Sequence, residues 1–171
     1  ITLMLFVYTI GGISGCHINP AVTIGLAVGK KIDLKEAVAY LVFQFIGGFL
    51  ALLAIGSLFG ATGVSAASSG TVFLAEAIGM FVFVFGISAV VAGKVSQGAS
   101  GIVIGGSLFL GILLAAAIGS NGVLNPAVAV GISSVSSAYF AGPVLGSILA
   151  VVVYKFLGCC GSCGEKCDTK K

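Results

Sequence analysis

The sequence predicts an all-α membrane protein, an inverted-repeat helical bundle with two re-entrant half-helices. Three observations carry this expectation. First, the chain of 171 residues is 58% hydrophobic, with a mean hydropathy of +1.23 and only 8% charged residues; soluble domains carry roughly 25%. So few charges cannot cover a soluble globule of this size, which excludes most cytosolic enzymes and nucleic-acid binders. The net charge of +3 bears on membrane orientation rather than on nucleic acid. Second, the segments 36–58, 72–92, 101–119 and 138–157 are apolar over about the 20 residues that a spanning helix needs. Third, Asn-Pro-Ala-Val occurs twice, at residues 19–22 and 125–128, 106 positions apart.

Taken in order, 1–12 is apolar but short for a span. Asn19 and Asn125 each read as a helix start, because Asn is a favoured N-cap and the following Pro suits the first helical position. Each opens a short apolar piece, 20–29 and 126–135. At about 15 Å apiece, two such pieces end to end fill one hydrocarbon thickness of about 30 Å. The spans are apolar all round rather than alternating, so β-barrel strands do not fit. Glu76 alone lies deep in a span. Glycine, 27 of 171 residues, is scattered through the apolar runs, as suits tightly packed membrane helices.

Charge sets the topology. If both short pieces dip into the bilayer and return, then 30–35, 93–100 and 155–171 share one side, and 59–70 and 120–137 share the other. The first side holds Lys30, Lys31, Lys35, Lys94, Lys155, Lys166, Lys170 and Lys171, and the second holds no lysine. A full crossing by 126–135, which lies between Lys94 and Lys155, would put lysines on both sides. The positive-inside rule then makes the lysine side cytoplasmic.

The expected organisation follows. Residues 1–58 are a partial first repeat with a re-entrant helix at 20–29. Residues 59–71 are an extracellular connection. Residues 72–157 are the second repeat, running span, span, dip, span, with a re-entrant helix at 126–135. Residues 158–171 are a Cys- and Lys-rich cytoplasmic tail. Glu76 stands 49 positions before Asn125, whereas Ile1 stands 18 before Asn19. The first transmembrane helix is therefore expected to be absent from this chain, with about 31 residues missing before Ile1. The apolar start lacks the charged n-region of a signal peptide.

Both helix starts face the bilayer centre, each with roughly half a positive charge. That field repels cations, hydronium included, and leaves neutral solutes alone. The side-chain oxygen of a capping Asn is used on its own helix, which leaves its NH₂ to donate to a passing oxygen. The expectation is a neutral-solute pore that blocks protons.

The stretch Ile13-Ser14-Gly15-Cys16-His17-Ile18-Asn19-Pro20-Ala21-Val22-Thr23 resembles the first signature of the aquaporin, or major intrinsic protein, family, and Asn125-Pro126-Ala127 matches the second. The resemblance implies a passive channel for water rather than an enzyme, without a cofactor, assembled as a homotetramer with one pore per subunit in the cell membrane. It implies that Glu76 holds the backbone of a pore loop, that Gln44 packs helix to helix, and that His17 lines the pore. It also implies an acceptor ladder of carbonyls from Gly15, Cys16, His17 and Ile18 and from Asn121, Gly122, Val123 and Leu124. The filter positions fall at Leu113, Gly122 and Val128. Here the chain departs from the family, which has Arg where Val128 stands, and the chain contains no Arg.

Without that guanidinium the outer mouth loses a fixed cation and a fork of donors, which widens the expected range of solutes to glycerol, ammonia or other small neutral molecules. Ala129, and Tyr139-Phe140 before Gly142-Pro143, lean towards water-type members. A non-conducting structural protein of the same fold is the alternative of a different class. A membrane enzyme lacks a nucleophile, base and acid set. One His and no acid cluster make no metal site within the spans. The tail cysteines Cys159, Cys160, Cys163 and Cys167 suit acylation or an incomplete metal site, beside the plainer reading of a disordered tail.

Overall fold

The computed structural model describes residues 1–60 and 68–161, with side chains to residue 158, and every regular element among them is helical. The elements are α1 (Thr2–Ser14), α2 (Pro20–Val28), α3 (Leu34–Phe59), α4 (Gly70–Val91), α5 (Ser100–Ile118, entered through a 3₁₀ turn at Gln97–Ala99), α6 (Pro126–Gly131) and α7 (Ser137–Gly161). The helices α3, α4, α5 with its leading turn, and α7 are each long and apolar enough to cross a bilayer. The chain is a multi-pass membrane protein. Residues 61–67 of the expected connection and the tail from 162, with Cys163, Cys167, Lys166, Lys170 and Lys171, lie outside the described residues.

Local chemistry sets the helix ends. Ser69 caps α4 by accepting from the Val72 N–H at 3.2 Å. α1 stops at Gly15 and α5 at Gly119, both left-handed, with φ of 67° and 102°; glycine adopts that conformation without a Cβ penalty. One boundary departs from expectation. The second short helix ends at Gly131, not 135, because Ser133 turns left-handed (φ 55°) and the Ser134 N–H closes on the Ala129 carbonyl at 2.8 Å. α6 is thus only about 9 Å long.

α4 is the centre of the bundle. Half of its apolar window is buried, and Met80, Phe83 and Val84 form the core together with Leu124. Its neighbours approach through glycine. Gly79 of α4 faces the backbone of Gly111 on α5, and Gly142 and Gly146 of α7 face the carbonyls of Phe73 and Ala77. A Cβ at any of these positions would collide with backbone. On the other side, Gly25 of α2 lies against Ser147 of α7, and Gly48 of α3 against the carbonyl of Ala127 on α6. In α3, by contrast, none of the apolar window is buried. Phe43, Phe49 and Leu53 remain exposed, as lipid or another helix would require.

The helix ends also gather. Gly29 abuts Val151 of α7, one turn before Lys155, and Lys31 lines a cavity together with Val95 and Gln97. The α2–α3 turn, the α4–α5 connection and the end of α7 therefore meet at one end of the bundle, the end that carries Lys30, Lys31, Lys94 and Lys155.

Candidate functional site

The two short helices start face to face. Asn19 accepts from the Ala21 N–H at 2.9 Å and Asn125 from the Ala127 N–H at 3.0 Å, each through Oδ1. The amides then cross. Asn19 Nδ2 donates to the Leu124 carbonyl at 2.9 Å, and Asn125 Nδ2 donates to the Ile18 carbonyl at 3.0 Å. The sequence reading left both NH₂ groups free; the structure commits one hydrogen of each to the opposite loop and leaves the second.

The loops before the two Asn residues turn left-handed at two matching positions of the 106-residue offset. Cys16 and Gly122 have φ of 51° and 64°, and Ile18 and Leu124 have 36° and 51°. A left-handed β-branched residue is a genuine outlier, and a residue held there costs roughly 1–3 kcal/mol. The Cys16 N–H donates to Ser14 Oγ at 3.3 Å, as the Gly122 N–H does to Ser120 Oγ at 3.2 Å. Two loops far apart in sequence thus hold the same strained path, one that only surrounding bonds can maintain.

Glu76 provides those bonds for the second loop. It is fully buried. Its carboxyl oxygens accept from the Val123 N–H at 2.9 Å, the Leu124 N–H at 2.6 Å and the Ser120 hydroxyl. Asn121 donates from Nδ2 to the Tyr139 hydroxyl at 2.9 Å.

The first loop is held from α2 and α3. Thr23 Oγ1 donates to the Asn19 carbonyl at 3.2 Å and accepts from Gln44 Nε2 at 3.0 Å. His17 Nδ1 lies 3.1 Å from the same oxygen. With the hydroxyl proton given to Asn19, an imidazole carrying its proton on Nδ1 would complete the bonds of this oxygen and leave Nε2 as an acceptor. Tyr40 stands edge-on to His17 at 5.1 Å and donates to the Ser14 carbonyl at 2.8 Å.

His17 and Ile18 border a cavity of about 500 Å³ between α3 and α6 that also takes in Gln44, Ala127 and Val128. A second cavity, about 660 Å³, lies between α1, α2, α4 and α5 and is lined by Gly15, Cys16, His17, Tyr8, Phe83, Gln97 and Lys31 among others. His17 belongs to both. Asn121, Gly122, Val123 and Leu124 line neither. Leu113 is half exposed on α5 and also lines neither cavity, while Gly122 backs onto Ile112, the residue before it. Among the described residues no group of three metal-ligating side chains converges.

Tyr8, Tyr40 and the Ser14/Ser120 pair had no role in the sequence reading. Extending the 106-residue register beyond Asn-Pro-Ala-Val finds Ser14/Ser120 and Gly25/Gly131. Nothing in the spacing marks the two tyrosines.

Residues 1–154 match the major intrinsic protein family. The chain is 34% identical over 175 residues to Aquaporin AqpM of Methanothermobacter marburgensis, covering 88% of this chain and 71% of that protein. It is 34% identical over 170 residues to Glycerol uptake facilitator protein-like 6 of Lactiplantibacillus plantarum, covering 88% and 78%. It is 33% identical over 173 residues to Aquaporin NIP1-1 of Arabidopsis thaliana, covering 90% of this chain and 58% of that protein.

Proposed function

We propose a function from one premise: the chain belongs to the major intrinsic protein family. Proteins of this family are channels, and this chain is a channel for water or small solutes. We infer that water is the first permeant and that protons and ions are turned back at Asn19 and Asn125. The observation that carries this reading is the reciprocal bridge between the two helix starts. It ties each amide to the opposite loop and leaves each one N–H uncommitted, the hydrogen that this reading assigns to a water oxygen. A water whose oxygen accepts from both amides cannot at that moment accept a proton from its neighbour in the file. Pro20 and Pro126 start the two helices, and Ala21 and Ala127 supply the N–H groups that orient the amides. The carbonyls of Gly15, Cys16 and His17 and of Asn121, Gly122 and Val123 would form the acceptor path to either side. Ile18 and Leu124 share theirs with the opposite Asn. Glu76 holds the second loop in that path, and His17 adds its Nε2 to the first.

Val128 favours a second reading. It is 43% exposed at the filter position, with Leu113 and Gly122 as the other visible filter residues. An apolar filter without a guanidinium suits glycerol, ammonia or another small neutral solute as well as water. By the positive-inside rule the lysine end faces the cytoplasm, in the cell membrane, and the assembly is a homotetramer.

Stopped-flow swelling and shrinking of proteoliposomes tests the proposal. Rapid water flux, lost in Asn125→Leu, is the expected result. Glycerol flux with little water would favour the second reading. Neither flux would leave a structural membrane protein.

A further inference from the structure

We propose that Lys31 is a further cation-excluding residue of this channel, added to the barrier at Asn19 and Asn125 and placed at the lysine-bearing mouth rather than at the filter position that Val128 occupies. The inference rests on the channel reading above and adds a determinant of selectivity to it. The cavity of about 660 Å³ runs from this mouth to Cys16 and His17, directly before Asn19, and among the described residues Lys31 is the one charged side chain that lines it. Asp33 and Glu36, the acids nearest in sequence, do not line it.

The backbone of Lys31 is fixed. Its N–H donates to the Leu26 carbonyl at 2.8 Å, closing the end of α2, while Lys30 takes the left-handed turn (φ 57°) and Gly29 is seated on Val151 of α7. The ammonium therefore swings from an anchored point beside the cavity. The walls behind it, Leu3, Val7 and Phe83, are apolar, and low-dielectric walls focus the field of a charge into the space between them. No arginine anywhere in the chain competes for this role.

The size of the effect follows from Coulomb's law. A unit charge acting across about 8 Å of water changes local cation occupancy by about twofold, and reversing its sign gives about fivefold. Salt weakens this, since the Debye length is about 8 Å at 0.15 M and about 3 Å at 1 M.

The test measures cation leak and neutral-solute flux in the same proteoliposomes, using the protein at its natural length. The readout is their ratio. In about 10 mM salt, Lys31→Gln should raise the ratio about twofold and Lys31→Glu about fivefold, and both increases should shrink in about 1 M salt. Lys35→Glu, on the exposed first turn of α3 and outside the cavity lining, should raise it less than Lys31→Glu does, since the interaction falls with distance. An unmoved ratio in both Lys31 variants overturns the inference while retained solute flux keeps the channel reading. An equal rise in Lys35→Glu also overturns it, by showing a general surface-charge effect. Absence of any water or solute flux in the unaltered protein removes the channel reading and the inference together.

Discussion

A carboxyl group with no exposure inside a membrane-spanning helix is tolerable only when its hydrogen-bonding capacity is filled, and Glu76 is bonded on both oxygens by a strained loop. Removing it strands the buried Leu124 N–H, at about 1–3 kcal/mol, and leaves the part-buried Val123 N–H and the buried Ser120 hydroxyl without their acceptor. Glu76→Ala should therefore lower stability by at least about 2 kcal/mol and release Val123 and Leu124 from their path. Glu76→Gln, which retains one acceptor oxygen, should lose less. Thermal unfolding in detergent, compared with water flux in vesicles, separates the two variants. Equal losses would show that the acceptors are not what matters. Position 128 makes the complementary case. Val128 is partly exposed beside a cavity, so an arginine has room there. Val128→Arg should reduce glycerol flux several-fold relative to water, because a guanidinium brings bulk and a cation to the filter. An unchanged glycerol-to-water ratio would argue against position 128 as a filter residue. At this scale the capping role of Asn19 and Asn125 was legible from Asn-Pro alone. The partner of each amide was not, because a local motif carries no information about a carbonyl 105 or 107 positions away.

At the scale of elements, helix packing in lipid cannot draw on the hydrophobic effect between helices and depends on close approach. The seams of this bundle are built accordingly. Gly79 and Gly111 bring α4 and α5 backbone to backbone, and Gly146 does the same for α7 on α4. Gly146→Leu should force α7 off Ala77 and lower stability by about 1–3 kcal/mol, the usual range for overpacking. Gly56→Ala, on α3 with nothing within 4 Å of the added Cβ, should be neutral or slightly stabilising, as alanine is the better helix former. The difference in unfolding midpoint between the two variants reports packing rather than propensity. The four spans were legible to within a few residues because length and hydropathy determine them. α6 was not. Ile132 continues its apolar run, but the turn at Ser133–Ser134 ends the helix, and serine hydroxyls that compete for backbone partners leave no hydropathy signal. The burial of α4 and the exposure of α3 were equally hidden, since both helices are almost uniformly apolar and nothing in their sequences says which one the others surround.

For the molecule as a whole, the lysine distribution and the second short helix make one joint claim about topology. The structure brings the Lys31 turn, the α4–α5 connection and the end of α7 to one end of the bundle, and α2 meets α6 through the crossed amides. A chain in which α2 and α6 both turn back must keep all eight lysines in one compartment. A chain in which α6 crosses fully cannot, whereas α2 precedes every lysine and leaves their distribution unchanged. Lysines are readily modified by a membrane-impermeant amine reagent, so vesicles of known sidedness test this directly. Labelling should reach Lys30, Lys31, Lys94 and Lys155 from the same face, and the opposite face should yield no labelled lysine peptide. That outcome ties the second short helix to the positive-inside rule, because α6 as a half-helix is then what allows an odd number of full crossings between Lys94 and Lys155 to be avoided. Labelling of Lys30 and Lys155 from opposite faces would instead mean that α6 spans the bilayer. The reciprocal bridge could not then sit at mid-membrane, and the reading of Asn19 and Asn125 as a proton barrier would fall with it.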